Sequence, residues 1–166
     1  MTASSTVKEL LKAYPNDLKV VYKHYVVHPQ VATTPALAAC AADKQGKFGQ
    51  MEELIWEKGF KTRQLDQGNM ETLAGEIGLD MSRFKADMET CKGQVEKDQS
   101  ELRRFGVRGT PGFFINGRFL GGARPIEQFK ALIDEELKKA NDRIGQGAKV
   151  ENYYKEWVLD KGKKSI

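Results

Sequence analysis

The chain has 166 residues, of which 40% are hydrophobic and 30% charged, and its formal net charge is +4. This is the balance of an ordinary globular protein, long enough for one domain with a real core. No run approaches the roughly 18 apolar residues of a membrane span, the N-terminus lacks the apolar core of a secretory signal, and no basic face interleaved with aromatics suggests nucleic-acid binding.

Thr6-Val-Lys-Glu9 has the form of a capping box, with Thr6 as N-cap and Glu9 reaching back. It opens a helix with Val7, Leu10, Leu11 and Tyr14 on its apolar face, and Pro15 marks its end. Leu18–Val27, rich in β-branched and aromatic residues, reads as a strand that stops at His28-Pro29. Beyond it the pattern turns helical. Thr34-Pro35 starts a helix carrying Leu37, Ala38 and Ala41, and Lys47–Phe60 forms another with Phe48, Met51, Leu54 and Ile55 on one side. Asn69–Gly78 is a short helix bearing Met70, Leu73 and Ile77. Asp80 caps the next, which runs towards Cys91 with Met81, Phe84 and Met88 inside, and Lys92–Phe105 is a further helix.

Gly106–Gly121 is the most specific stretch. Thr110-Pro111 puts a proline at the mouth of an apolar strand, where it need not donate to a ladder. Asn116-Gly117 then suits a type I′ hairpin turn, which needs positive φ at both central residues. A helix follows, opened by Arg124-Pro125 and buried through Phe129, Leu132, Ile133 and Leu137. Asn141–Gly147 reads as a linker. Val150, Tyr153, Tyr154, Trp157 and Val158 have the spacing of an amphipathic helix, which either docks on its own domain or offers a contact surface.

From about Thr6 to Leu137 this order resembles the DsbA-type thiol–disulfide oxidoreductases. The resemblance implies an α/β, thioredoxin-like fold with an inserted helical lobe. The expected organisation is a domain over residues 1–138, its insertion at about 33–105, then a linker and C-terminal helix over 139–166. The resemblance further implies a cis bond at Thr110-Pro111. Gly109, Thr110 and Pro111 would form the substrate-binding loop, with the Thr110 backbone receiving an extended peptide or unfolded protein. The family's activity is thiol–disulfide exchange on cell-envelope proteins, which implies a periplasmic or envelope location. Yet the family's Cys-x-x-Cys is absent from these 166 residues. A segment resembling Thr6–Leu11 lies on the later turns of the helix that begins with that motif. The first core strand and the dithiol are therefore missing, and the chain is expected to be redox-inactive as given.

Cys40 and Cys91 are the two cysteines. They are either buried thiols behaving as small apolar residues, a structural disulfide like the second, non-catalytic bridge of envelope relatives, or a catalytic pair. The last reading is disfavoured. Cys40 falls mid-helix, and Cys91 falls near a predicted helix C-terminus, where the dipole opposes a thiolate. His24 and His28 could face one way, but a metal needs a third ligand and none is near in sequence. No metal and no other cofactor is expected. Trp56 and Trp157 read as packing residues. Arg103, Arg104 and Arg108 either steer an acidic partner or are simply solvated, as is the basic tail Lys161–Lys164. Ser4-Ser5-Thr6 has no nucleophile context.

Without its first strand, the expected sheet has a gap of about 9–10 Å between Leu18–Val27 and Phe113–Asn116. Either those strands pair directly and antiparallel, or a neighbouring chain fills the slot. Homo-oligomerisation or strand exchange is therefore expected. The alternative functions are a redox-inactive peptide-binding module and a strand-swapped oligomeric fragment.

Overall fold

A computed structural model describes residues 3–162. Lys163 and Lys164 of the expected basic tail lie outside the described residues. The chain divides into two compact units, Met1–Val21 with Arg104–Ile166, and Tyr22–Arg103.

The first unit holds α1 (Ala3–Ala13), β1 (Gly112–Ile115), β2 (Arg118–Gly121), α6 (Ile126–Gly145) and α7 (Val150–Tyr153), the last continuing as π-helix over Tyr154–Asp160. Helix α1 begins three residues before the expected N-cap. Thr6 is buried inside it, one turn from buried Leu10, so burial of an i, i+4 pair overrides the capping signal. β1 and β2 form an antiparallel hairpin whose turn residues, Asn116 and Gly117, have φ of 44° and 86°. The hairpin's inner face carries Phe113, Ile115 and Leu120 onto a core of Leu10, Ile126, Phe129 and Ile133. The Phe113 and Phe129 rings meet edge to face at 4.8 Å. Tyr14 Oη donates to Asp134 Oδ1 at 2.7 Å and ties α1 to α6. Helix α6 continues to Gly145, so most of the expected linker is helical.

The second unit is helical. It contains α2 (Pro29–Asp43), α3 (Phe48–Leu54) continuing as π-helix over Ile55–Phe60, α4 (Gln67–Glu76) and most of α5 (Met81–Arg104). Pro29, not Pro35, opens α2. Pro35 is buried within the helix, and Thr33 Oγ1 donates to the Pro29 carbonyl at 2.7 Å in the turn before it. Asp80 caps α5 as expected, its Oδ1 accepting from Arg83 N–H at 3.0 Å. The two helices expected over 80–105 are one, because the buried positions Phe84, Met88, Cys91, Val95 and Asp98 form one uninterrupted stripe.

Leu18–Val27 is not a strand, and none of its residues nor any other described residue joins β1 and β2 in their sheet. The expected direct pairing with Phe113–Asn116 does not occur. An extended backbone becomes a strand only where a neighbour exchanges ladder hydrogen bonds with it. Here α5 side chains supply partners instead. His24 N–H donates to Asp98 Oδ2 at 3.1 Å, and Val26 N–H to Gln99 Oε1 at 3.4 Å. Asp98 is 1% exposed and also accepts from Lys23 Nζ at 3.0 Å and Gln94 Nε2 at 2.8 Å.

Asp98→Ala removes an acceptor shared by three donors and is expected to lower unfolding free energy by about 2–3 kcal/mol. The exposed Glu101 also pairs with Lys23, at 2.9 Å, and Glu101→Gln is expected to cost below about 1 kcal/mol. Urea unfolding of the two variants checks the difference.

Candidate functional site

The loop from Gly106 to Pro111 delivers the chain into β1. Gly106 has φ of 71°, a left-handed conformation that suits glycine. Val107 is buried, while Thr110 is exposed and Gly109 and Pro111 are half-buried. The Thr110–Pro111 peptide is cis, and the Pro111 carbonyl accepts from Gly122 N–H at 2.8 Å. That bond sets the hydrogen-bonding alternation along the hairpin. The pairs Phe113↔Leu120 and Ile115↔Arg118 bond to each other, whereas Gly112 and Phe114 aim their N–H and C=O groups away from β2. The outer edge of β1 has no strand partner among the described residues.

The outer face beside this edge is aromatic. The Phe114 and Phe119 rings are 5.0 Å apart, and Phe105 meets Phe114 edge-on at 6.1 Å. Phe119 also lies over the cross-strand pair Gly112↔Gly121: a Cβ would come within 3.2 Å of its ring at Gly112 and 3.0 Å at Gly121. Glycine at both positions makes room for the ring, and the ring covers backbone that glycine leaves bare. Arg108 is exposed on the loop. An open groove of about 360 Å³ between β2 and α6 is lined by Leu120, Ala131 and Leu132 together with the paired Arg118 and Glu135.

The cysteines are bridged. Cys40 on α2 and Cys91 on α5 form a disulfide, and the two are 5% and 0% exposed within the helical core. Cys91 lies mid-helix rather than near a helix end as expected, and Cys40 lies in the last turn of α2, three residues before Asp43, rather than mid-helix. No group of three or more His, Cys, Asp or Glu capable of holding a metal occurs among the described residues. His28 sits at the N-cap of α2. His24 is largely buried, and burial lowers its pKa below the ordinary 6.5 against the opposing pull of Asp98 and Asp43. Burial, together with the bond to Asp134, pushes the Tyr14 phenol up to about 12. Trp56 is 49% exposed and packs edge-on against Phe60. Trp157 is half-buried, with Arg143 and Lys161 against its ring.

The DSBA-like thioredoxin domain family matches residues 1–134. The chain belongs to this family. It is 30% identical over 136 residues to the Na(+)/H(+) antiporter NhaA of Herminiimonas arsenicoxydans, a match covering 80% of this chain and 21% of that protein. It is 33% identical over 136 residues to the Na(+)/H(+) antiporter NhaA 1 of Salinispora arenicola, covering 79% of this chain and 20% of that protein. The chain thus spans about a fifth of the length of the curated relatives it matches. No solved structure matches it.

Asp98 and Phe119 are the structurally important residues that sequence reading passed over. Asp98 had a signal: it lies three residues after Val95 and seven after Cys91, continuing the buried stripe of α5.

Cutting the bridge by Cys40→Ala with Cys91→Ala frees a loop with a sequence separation of 51. In the chain-entropy account this is expected to lower stability by about 4 kcal/mol, read by thermal unfolding against the wild type. For His24, the lowered folded pKa favours the neutral ring in the native state. Its stabilising contribution is therefore present above the ordinary 6.5 and lost as pH falls through the folded value. Stability measured from neutral pH downward is expected to fall less steeply in His24→Gln.

Proposed function

We propose that this polypeptide is a DsbA-like domain that holds extended peptide segments along the outer edge of β1 and performs no dithiol chemistry of its own. The observation carrying this reading is the state of its sulfurs. Thiol–disulfide exchange starts from an accessible thiolate, and both cysteines are locked in a buried bridge. Exchange, the family's activity, would need a dithiol brought by another segment.

The peptide reading rests on the open edge. Gly112 and Phe114 offer backbone donors and acceptors at the two-residue spacing of an extended partner, and Thr110 is exposed at the mouth of that edge. Phe114 beside it is 39% exposed and gives a bound side chain an apolar surface. The same edge supports a second reading, exchange of a strand between copies of the chain, because an open edge accepts any extended backbone.

The relatives are named as antiporters, and this chain matches about a fifth of each. Those names support a reading in which the domain works beside a membrane transporter.

Insulin reduction and peptide oxidation are expected to show no turnover. Calorimetric titration with unfolded peptides is expected to show binding that Phe114→Ser weakens roughly tenfold. Turnover that disappears in Cys40→Ser with Cys91→Ser would overturn the assignment of those cysteines. Absence of peptide binding, with light scattering showing a discrete oligomer, would favour strand exchange.

A further inference from the structure

The open edge of β1 runs through a stretch of one charge sign. Residues 104–126 contain four arginines (104, 108, 118 and 124) and neither aspartate nor glutamate, although acids make up 23 of the 166 residues overall. The acids that border this stretch are already engaged. Glu101 pairs with Lys23 at 2.9 Å, and Glu135 and Glu136 pair with Arg118. Glu127 lies in the first turn of α6, where the helix dipole favours a carboxylate. The four arginines are not equivalent. Arg118 is held by its two carboxylates, and Arg124 turns its Nε onto the Gly121 carbonyl at 2.9 Å. Arg108 is exposed on the loop entering β1, two residues before Thr110, and forms no ion pair with a described residue. Arg104, also exposed, ends α5 immediately before Phe105, whose ring meets Phe114 beside the open edge.

We propose that the extended segments held at the outer edge of β1 are acidic. An apolar residue of the segment rests on Phe114, a carboxylate beside it meets Arg108, and Arg104 adds to the positive field. The inference rests on the peptide-holding reading and names the class of peptide. Guanidinium groups suit that class because they take carboxylates bidentately and are weakly hydrated. A nucleic-acid strand, the other polyanion that arginine beside aromatic rings attracts, is a poorer occupant. Gly112 and Phe114 offer donors and acceptors at the repeat of a polypeptide backbone, which a sugar–phosphate strand does not match.

The test is calorimetric titration of the full chain with three unfolded peptides that share one apolar centre, flanked by glutamate, glutamine or lysine. The glutamate peptide is expected to bind about fivefold tighter than the glutamine peptide, the range of an exposed ion pair. The lysine peptide is expected to bind more weakly than either, and added salt to close the differences. Arg108→Gln is expected to cut the glutamate-to-glutamine ratio to about twofold, and Arg108→Glu to reverse the order of the three. Each ratio is taken within one variant, so a general loss of binding does not imitate the effect. Lys97→Gln, which removes the same charge from an exposed position on the helical unit, is expected to keep the wild-type ratio. Equal affinity for the three peptides would overturn the inference and leave the peptide-holding reading standing. Failure of all three to bind would overturn that reading and the inference with it. A fall of the ratio in Lys97→Gln as large as in Arg108→Gln would overturn the inference alone, as would a single-stranded oligonucleotide that displaces the bound glutamate peptide at equal concentration.

Discussion

Backbone that leaves water must find hydrogen bonds, and the segment before α2 finds them on a helix. The N–H groups of His24 and Val26 are two residues apart, the spacing at which one edge of an extended chain presents its donors. In a sheet a neighbouring strand would receive them. Here Asp98 and Gln99, adjacent on α5, do so, and Gln99 returns a bond of 3.4 Å to the Val26 carbonyl. The Asp98 carboxylate is affordable in a 1% exposed position because its oxygens also receive Lys23 and Gln94. The helical unit therefore has its entrance fixed by a buried anion, while its interior is fixed by the apolar stripe of the same helix.

The other unit depends on a hairpin with two different faces. Inward, Phe113, Ile115 and Leu120 complete a core with α6 and α1. Outward, Phe114 and Phe119 stay partly in solvent above a glycine pair. A sheet of two strands cannot bury both its faces and both its edges, so function has backbone groups to use here that a larger sheet would consume internally. This is why the loop around Thr110 and Pro111 leads to an edge still open to a partner, and why peptide holding is chemically reasonable without any reactive sulfur.

Local chemistry was readable in the sequence wherever it was sufficient by itself. Asn116-Gly117 announced the hairpin because few other dipeptides tolerate two positive φ values in succession. Asp80 announced its helix because its carboxylate caps an N–H only three residues ahead, that of Arg83. Family membership was legible from the order of loop, strand, turn and helix. What escaped was tertiary in origin. Leu18–Val27 has strand composition, but pairing is decided by a neighbour that composition does not reveal. Thr6 looked like a cap and is a buried helical residue, one turn from the buried Leu10. Asp98 drew no reading at all, and only the periodicity of the buried positions on α5 marks it as interior. Pro35 looked like a helix start, yet a helix already opened by Pro29 passes through it.

The bridge between α2 and α5 has a temporal consequence. Its two cysteines lie in one buried cluster with Leu37, Met88 and Val95, so a small reductant meets them when those helices separate. The oxidation state of this domain is accordingly a memory of where the chain matured. A copy that closes its core before meeting an oxidant carries two sealed thiols thereafter, and a copy that closes afterwards carries the cross-link into whatever surroundings it reaches next.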